Sequence, residues 1–157
     1  MKIATWNIER PALKRNRLPA IAEHVKGSNA EIVVLTETLS ELDLGSDYHT
    51  FETSPTAVGR QIEDFLRIGK ELPLCIVGDL NTSFSDNFYF THESRNRLRA
   101  CFEELKLQIA TQAIPNNIDH IVISASMGLK TENTYLWNQD LKLSDHIGIA
   151  LGFTSQK

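Results

Sequence analysis

The stretch LPLCIVGDLNTSF, residues 72 to 84, runs from apolar residues directly into an aspartate and an asparagine. Continuous apolar residues without alternation are typical of a strand covered on both faces, and Gly78 lies where such a strand would turn. Asp79 and Asn81 follow at its tip. Asp and Asn are ordinary turn formers, so this segment taken alone favours a structural role over a catalytic one. Other parts of the chain decide between the two.

The apolar pattern predicts an α/β domain, because strand, helix and strand follow one another from the start of the chain. A further strand is possible at 133–137 and a short one at 48–51, and residues 38–60 otherwise indicate a loop. The predicted elements are strands at 2–7, 31–36, 74–77, 118–124 and 146–153, and helices around 18–27, 62–69 and 98–105.

Composition limits the class of protein. A chain of 157 residues with 41% hydrophobic and 23% charged residues predicts one soluble globular domain, residues 1–157. It contains no apolar run of the ~20 residues that a bilayer helix needs, so we expect no membrane span, and the polar N-terminus predicts a cytoplasmic location. The net charge of −4 means that nucleic-acid binding would need a local patch.

Polar side chains lie at an end of each predicted strand. Ligands of open α/β sheets bind beyond strand ends, so residues far apart in sequence can meet there. Converging carboxylates repel one another, and a hard ion such as Mg²⁺, which prefers oxygen ligands, removes that repulsion. A metal-assisted phosphoryl site is one interpretation, and satisfied turn or cap residues are the other. The candidates are Asn7, Glu9, Glu37, Asp79, Asn81, Asp119, Asp145 and His146.

Five short segments occur in a specific order: TWNIE at 5–9, VVLTE at 33–37, VGDLNTSF at 77–84, IDHIVIS at 118–124 and LSDHIGIA at 143–150. They resemble the signature segments of the endonuclease/exonuclease/phosphatase family, the superfamily of DNase I and the exonuclease III type apurinic endonucleases. ATWNIERP and FETSPT are similar to bacterial members, so the chain looks like an internally shortened bacterial-type member. The resemblance implies two packed β-sheets flanked by helices, a four-layer sandwich reduced by an internal deletion.

The resemblance also implies a divalent metal ion, Mg²⁺ or Mn²⁺. Matched position by position, Glu37 is the main metal ligand. Asn7, Glu9 and Asp145 lie near the ion, directly or through water. The activity implied is hydrolysis of a phosphate ester, with a nucleic-acid phosphodiester favoured over a small phosphate.

Catalytic roles follow from the same resemblance. Asp79 and Asn81 match a Gly-Asp-x-Asn motif in which the aspartate orients or activates water and the asparagine donates hydrogen bonds to the phosphate. We expect Asn7 to bind a phosphate oxygen as well. His146 matches the histidine that stabilises charge on the phosphate, and Asp119 matches the aspartate that orients it. Such an aspartate fixes the tautomer of the imidazole and supports its cation.

One part of the family pattern is missing. Strands that normally precede the helix at 62–69 are absent, and with them a Tyr or a Thr-His pair that assists the leaving group. His49, Tyr48, His92 and Tyr89 have suitable chemistry, but a lone loop His or Tyr is more often a surface or packing residue. None is assigned. The exposed sheet edge predicts a homodimer through strand pairing.

Two further points stay open in the sequence. A catalytically impaired member that acts as a nucleic-acid or protein binding module is the alternative function. Arg95, Arg97 and Arg99, with Lys14, Arg15 and Arg17, could contact backbone phosphates, although solvated helix faces are the commoner role. The aromatic residues 88–90 could stack on a base or cover the core, and the core is slightly favoured.

Overall fold

A computed structural model describes residues 1–10, 15–39, 41–46, 48 and 58–155. Within these ranges the strands are β1 (Lys2–Asn7), β2 (Ile32–Thr36), β3 (Cys75–Asp79), β4 (Leu107–Ile109), β5 (Asp119–Ser124), β6 (Leu129–Trp137) and β7 (Gly148–Ser155). The helices are α1 (Leu18–Gly27), α2 (Val58–Gly69) and α3 (His92–Glu104), with short 3-10 turns at Arg15–Arg17 and Ala125–Met127.

The strands form two sheets. One has the order β2-β1-β7-β6, with β1 and β2 parallel and the other neighbours antiparallel. The other has the order β3-β5-β4 and is antiparallel throughout. A cluster of buried residues from β1, β5 and β7, among them Ile3, Ile121 and Ile149, lies between the two sheets. The two packed sheets of the predicted α/β fold are therefore present.

The helices cover the outer faces of the sheets, because successive side chains of a strand point to opposite faces. In β1, Ile3 belongs to the cluster between the sheets, whereas Trp6 packs in a second cluster with Ile21 of α1. In β5, Val122 packs in a third cluster, with residues of α2 and α3. Full burial of such side chains is worth about 1.5–3 kcal/mol each. The result is the expected order of helix, sheet, sheet and helix.

Several details differ from the sequence prediction. β3 is an edge strand, and Cys75 is exposed while Ile76 is buried, so the expected coverage of both faces is wrong. β4 was not predicted, because three residues following a helix carry too little pattern to be recognised. β6 begins four residues before the possible strand at 133–137.

The loop region was predicted only in outline. Tyr48 belongs to no strand, and its hydroxyl donates to the carbonyl of Ala30 at 3.3 Å. The rest of the possible short strand at 48–51 lies outside the described residues, as do FETSPT, Lys14 and His49. None of the helices in the described ranges is long and apolar enough to cross a membrane.

Candidate active site

Asn7 and Asp79 join the ends of the two sheets. Asn7 is the last residue of β1, is 2% exposed, and donates from Nδ2 to Oδ2 of Asp79 at 3.1 Å. Its Oδ1 accepts the N–H of Glu9 at 2.9 Å. The other carboxylate oxygen of Asp79, Oδ1, accepts the N–H of Asn81 at 2.7 Å. Two donors from two different elements therefore fix the orientation of the Asp79 carboxylate.

The register of the second sheet brings Asp119 beside Asp79, since the two residues are paired across β3 and β5. Oδ2 of Asp119, which is 1% exposed, accepts a hydrogen bond from Nδ1 of His146 at 2.6 Å. Nε2 of His146 lies 3.6 Å from Oδ1 of Asp145. Asn117 brackets the main chain of Asp119, donating from Nδ2 to its carbonyl at 2.6 Å and accepting its N–H at 3.1 Å.

The pKa values of both Asp119 and His146 are raised. Burial raises the pKa of Asp119 to about 6, although the hydrogen bond and charge of His146 oppose the shift. Burial lowers the pKa of His146, but the hydrogen bond and charge of Asp119, with the charges of Asp79 and Asp145, outweigh it and raise the pKa above its usual 6.5. Between these two pKa values the pair holds an aspartate anion and an imidazolium, a form suited to binding a phosphate oxygen.

The loop that carries His146 is held by residues that the sequence did not single out. The hydroxyl of Ser144, which is buried, donates to the carbonyl of Asn7 at 2.6 Å and accepts the N–H of His146 at 3.1 Å. Nδ2 of Asn138 donates to the carbonyls of Ser144 and His146 at 2.8 and 2.7 Å. Nε1 of Trp6 also donates to the carbonyl of His146, at 3.0 Å. Ser144 lies inside LSDHIGIA, which was the available signal.

His120 anchors the loop that follows Asn81. Its buried ring donates from Nε2 to the carbonyl of Thr82 at 2.8 Å, and Nδ1 accepts the hydroxyl of Thr111 at 2.8 Å. Burial lowers its pKa to about 4, so the ring is neutral at physiological pH. The sequence prediction assigned no role to His120, although it directly follows Asp119 in IDHIVIS.

Glu9 and Glu37 are tied to the site through the main chain. The N–H of Arg10 donates to the carbonyl of Glu37 at 2.9 Å, which places the turn after β2 beside the turn after β1. Glu9 and Glu37 have φ angles of 54° and 53°, and Asn81 has 50°. Backbone conformations of this kind cost about 1–3 kcal/mol for residues other than glycine and cluster at functional sites.

The carboxylates of these two glutamates differ in their partners. Glu9 lies 3.3 Å from Nη1 of Arg17, which also donates to the carbonyl of Leu143 at 2.5 Å. Arg17 therefore holds the turn after β1 against the loop before His146, and its expected contact with a phosphate is replaced by this structural role. The carboxylate of Glu37 forms no hydrogen bond or ion pair with any described residue.

No three His, Cys, Asp or Glu side chains of the described residues come close enough together to hold a metal ion. The carboxylates at the strand ends thus do not form one converging cluster, because Asp119 bonds His146 and Glu9 pairs with Arg17. Mg²⁺ usually takes only one or two carboxylates with water and phosphate oxygens. The oxygen donors of Glu37 and Asn7 fit that smaller ligand set.

A cleft of about 290 Å³ opens at the Asp119–His146 pair. Four of the sequence candidates contribute to its wall, and the other four, Asn7, Glu9, Glu37 and Asp79, do not line it. The lining residues are Asn81, Phe88, Tyr89, Asn116, Asn117, Ile118, Asp119, Asp145, His146 and Ile147. A larger cleft of about 750 Å³, between α1 and residues 41–43, shares no residue with this one.

The basic residues of α3 have structural partners. Arg95 and Arg99 donate to the main-chain carbonyls of Asp86 and Phe84, at 2.5 and 3.3 Å. Arg97 pairs with Glu93 at 3.9 Å on the helix surface. The sequence-based expectation that these arginines meet phosphates is therefore replaced, for Arg95 and Arg99, by a role in holding the loop between β3 and α3.

No family model matches the chain, and no curated protein sequence is significantly similar to it. Among solved structures, the endonuclease domain of TRAS1, a telomere-specific non-LTR retrotransposon, matches with a TM-score of 0.64 and 14% sequence identity, over 99% of this chain and 99% of that one. At this identity the match shows a shared fold. It confirms the predicted DNase I-like fold class, while membership of a bacterial-type branch stays a prediction.

Proposed function

We propose that this protein is a divalent-metal-dependent phosphodiesterase that hydrolyses nucleic-acid phosphodiester bonds. The observation that carries the proposal is the placement of two hydrogen-bonded pairs, Asn7–Asp79 and Asp119–His146, beside each other through the register of β3 and β5. The likeness of the fold to an endonuclease domain supports nucleic acid over a small phosphate as substrate.

In the proposed reaction, Asp79 accepts a proton from water as the water oxygen attacks phosphorus and the bond to the leaving oxygen breaks. The leaving alkoxide then takes a proton from solvent. The imidazolium of His146 binds a nonbridging phosphate oxygen and stabilises the charge that develops there, with Asn81 as a further donor. Asn7 uses one Nδ2 hydrogen for Asp79 and retains the second for the phosphate.

Glu37 is the proposed ligand of Mg²⁺ or Mn²⁺, because its carboxylate has no partner among the described residues, and Asn7 and Asp145 are the further proposed ligands. Glu9 is the weaker candidate ligand, since Arg17 neutralises it. When bound, such an ion supplies charge stabilisation to the phosphate and the leaving oxygen.

The second candidate function is a nucleic-acid or protein binding module that has lost catalysis. It is favoured by the sequence, because the resemblance implies that the family's leaving-group motif is missing. Of the candidates for that role, the hydroxyl of Tyr48 donates to Ala30, and His92 packs against the ring of Phe90. Tyr89 lines the cleft and is the first described residue to test as a proton donor. Self-association through an exposed sheet edge is a separate proposal.

Two esters with different leaving groups distinguish these functions. A nitrophenolate hardly needs protonation, whereas the sugar alkoxide released from DNA or RNA does, and a positioned general acid is worth about 10²–10⁴ in rate. We expect Mn²⁺-dependent cleavage of bis(4-nitrophenyl) phosphate, slower cleavage of an oligonucleotide, and loss of both in the Asp79→Asn variant. Failure to cleave either ester would support the binding module instead.

A further inference from the structure

Two aromatic side chains are exposed beside the candidate active site. Phe88 and Tyr89 are 56% and 54% exposed, and both line the cleft that contains Asn81 and His146. An aromatic ring gains much free energy from burial, so neighbouring exposed rings at a cleft are typical of a surface that binds another molecule. The sequence alone left open whether these residues cover the core, and their exposure excludes that role.

Asp86 fixes the loop on which the two rings lie. Its Oδ1 accepts the hydroxyl of Ser83 and, at 3.0 Å, the N–H of Phe88. Its Oδ2 accepts the hydroxyl of Ser85 at 3.1 Å and the N–H of Asn116 at 2.8 Å. These donors, first the Ser83 hydroxyl and then the Asn116 N–H, hold the pKa of Asp86 well below its usual range.

Further contacts close the same loop. The N–H of Ser83 donates to the carbonyl of Tyr89 at 2.6 Å. Arg95 donates from Nη2 to the carbonyl of Asp86 at 2.5 Å, and its guanidinium carbon lies 3.3 Å from the centroid of the Phe90 ring. A binding surface held in place before its ligand arrives loses less conformational entropy on binding. The rings of Phe88 and Tyr89 are therefore presented on a preorganised loop.

The chemistry of the cleft points to a flat ligand with polar edges. The exposed rings of Phe88 and Tyr89 and the amides of Asn81 and Asn116 lie in the same cleft wall. Arg95 and Arg99 donate to main-chain carbonyls of the loop. The cleft volume of about 290 Å³ is at the small end of ligand pockets, which are roughly 300–1,000 Å³. One planar ring system, adjacent to a phosphate at His146, suits this space.

We infer that Phe88 and Tyr89 form a stacking surface for one unpaired nucleobase next to the scissile phosphate. This inference rests on the proposed function, and it specifies the substrate as single-stranded or locally unpaired nucleic acid. A base inside a duplex is already stacked on its neighbours and does not reach the rings without being extruded. Any base can stack on an aromatic side chain, so the surface distinguishes unpaired from paired nucleic acid and does not distinguish one base sequence from another.

Binding to chains with and without bases tests the inference. An oligothymidylate of eight nucleotides and a chain of eight abasic residues carry the same phosphates, so the ratio of their dissociation constants isolates the bases. Measured by fluorescence anisotropy in EDTA, where no cleavage occurs, the wild-type protein should bind the thymidylate tighter by about 5- to 150-fold per stacked base. In the Phe88→Ala/Tyr89→Ala variant the ratio should fall towards one.

Three controls make the result specific. Tyr89→Phe keeps the ring and removes the hydroxyl, so it should retain the ratio; a loss there would mean that the hydroxyl and not the ring recognises the ligand. Tyr135→Ala removes a ring of similar exposure, 44%, outside the cleft, and should leave the ratio unchanged. A duplex of the same length should bind more weakly than the single strand.

The inference and the proposed function fail in different ways. Equal binding of the two chains by the wild-type protein, no binding of either, or an unchanged ratio in the double variant would overturn the stacking surface. The proposed function is judged separately, by hydrolysis of bis(4-nitrophenyl) phosphate and its loss in Asp79→Asn, because that assay contains no nucleobase. Retained hydrolysis with an unchanged binding ratio would thus remove the inference alone.

Discussion

Replacing Asp119 with asparagine changes how stability depends on pH. The pKa of Asp119 is raised by burial from the usual 3.8 to about 6, so the folded protein holds this proton more tightly than the unfolded chain does. Its contribution to stability is complete below pH 3.8 and is lost as pH rises through about 6. The pKa of His146 is also raised, so its contribution is complete below pH 6.5 and is lost as pH rises through the folded-state value.

The size of the effect follows from the shift in Asp119. The difference between 3.8 and about 6 is about two pH units. Each unit corresponds to about 1.4 kcal/mol, so the free energy of unfolding loses on the order of 3 kcal/mol through this group. Asparagine does not titrate and leaves His146 without its carboxylate partner. The difference in free energy of unfolding between the wild-type protein and Asp119→Asn should therefore fall by about 3 kcal/mol between pH 4 and pH 7. It should fall further above pH 7, as His146 loses its proton.

Urea unfolding followed by tryptophan fluorescence at several pH values measures this difference. Asp64→Asn is the matched control, because Asp64 is an exposed carboxylate paired with Arg67 at 2.9 Å, and exposed pairs contribute little to stability. NMR titration should show a lower pKa for His146 in Asp119→Asn than in the wild-type protein. Stability curves for Asp119→Asn and wild type that run parallel from pH 4 to pH 8 would refute the reasoning.

Three further outcomes are expected. Saturating Mn²⁺ should raise the melting temperature of the wild-type protein, since an ion at a hundred times its dissociation constant adds about 2.7 kcal/mol to the free energy of unfolding. The Glu37→Gln variant should lose this shift and the Glu103→Gln variant should keep it; a wild-type melting temperature that does not respond to Mn²⁺ would contradict the metal site. The Ser144→Ala variant leaves the Asn7 carbonyl and the His146 N–H without their partner, so its free energy of unfolding in urea titrations should be lower by about 1–3 kcal/mol. An unchanged value would show that the loop does not depend on the Ser144 hydroxyl. Sedimentation at several concentrations should show a dimer, and a monomer throughout would mean that the sheet edge is covered.

The strands were predictable where a run of apolar residues ends in a polar residue. Strands β1, β5 and β7 combine apolar runs with a polar end, and the sequence placed all three. The pairing of Asp79 with Asp119 follows from the antiparallel register of β3 and β5, which no local pattern encodes. The resemblance of the ordered motifs implied only that both residues belong to one site.

The supporting residues of the site could not be predicted, since their hydrogen bonds join positions far apart in the chain. The hydroxyl of Ser144 reaches the carbonyl of Asn7, 137 residues earlier. The sequence predicts His120 as part of a strand, and its structural role is a hydrogen bond to the carbonyl of Thr82, 38 residues away. Glu9 was expected beside a metal ion. Its pairing with Arg17 depends on the turn after β1 lying next to the loop before His146, which the sequence does not show.

Hydrolysis of bis(4-nitrophenyl) phosphate as a function of Mn²⁺ concentration tests the central claim most directly. The wild-type protein and the Asp64→Asn control should show saturable, Mn²⁺-dependent release of nitrophenolate. Asp79→Asn should be slower by about 10²–10⁴, because the group that takes the proton from water is gone. A wild-type rate equal to that of buffer with Mn²⁺, or an Asp79→Asn variant as active as the wild type, would contradict the account.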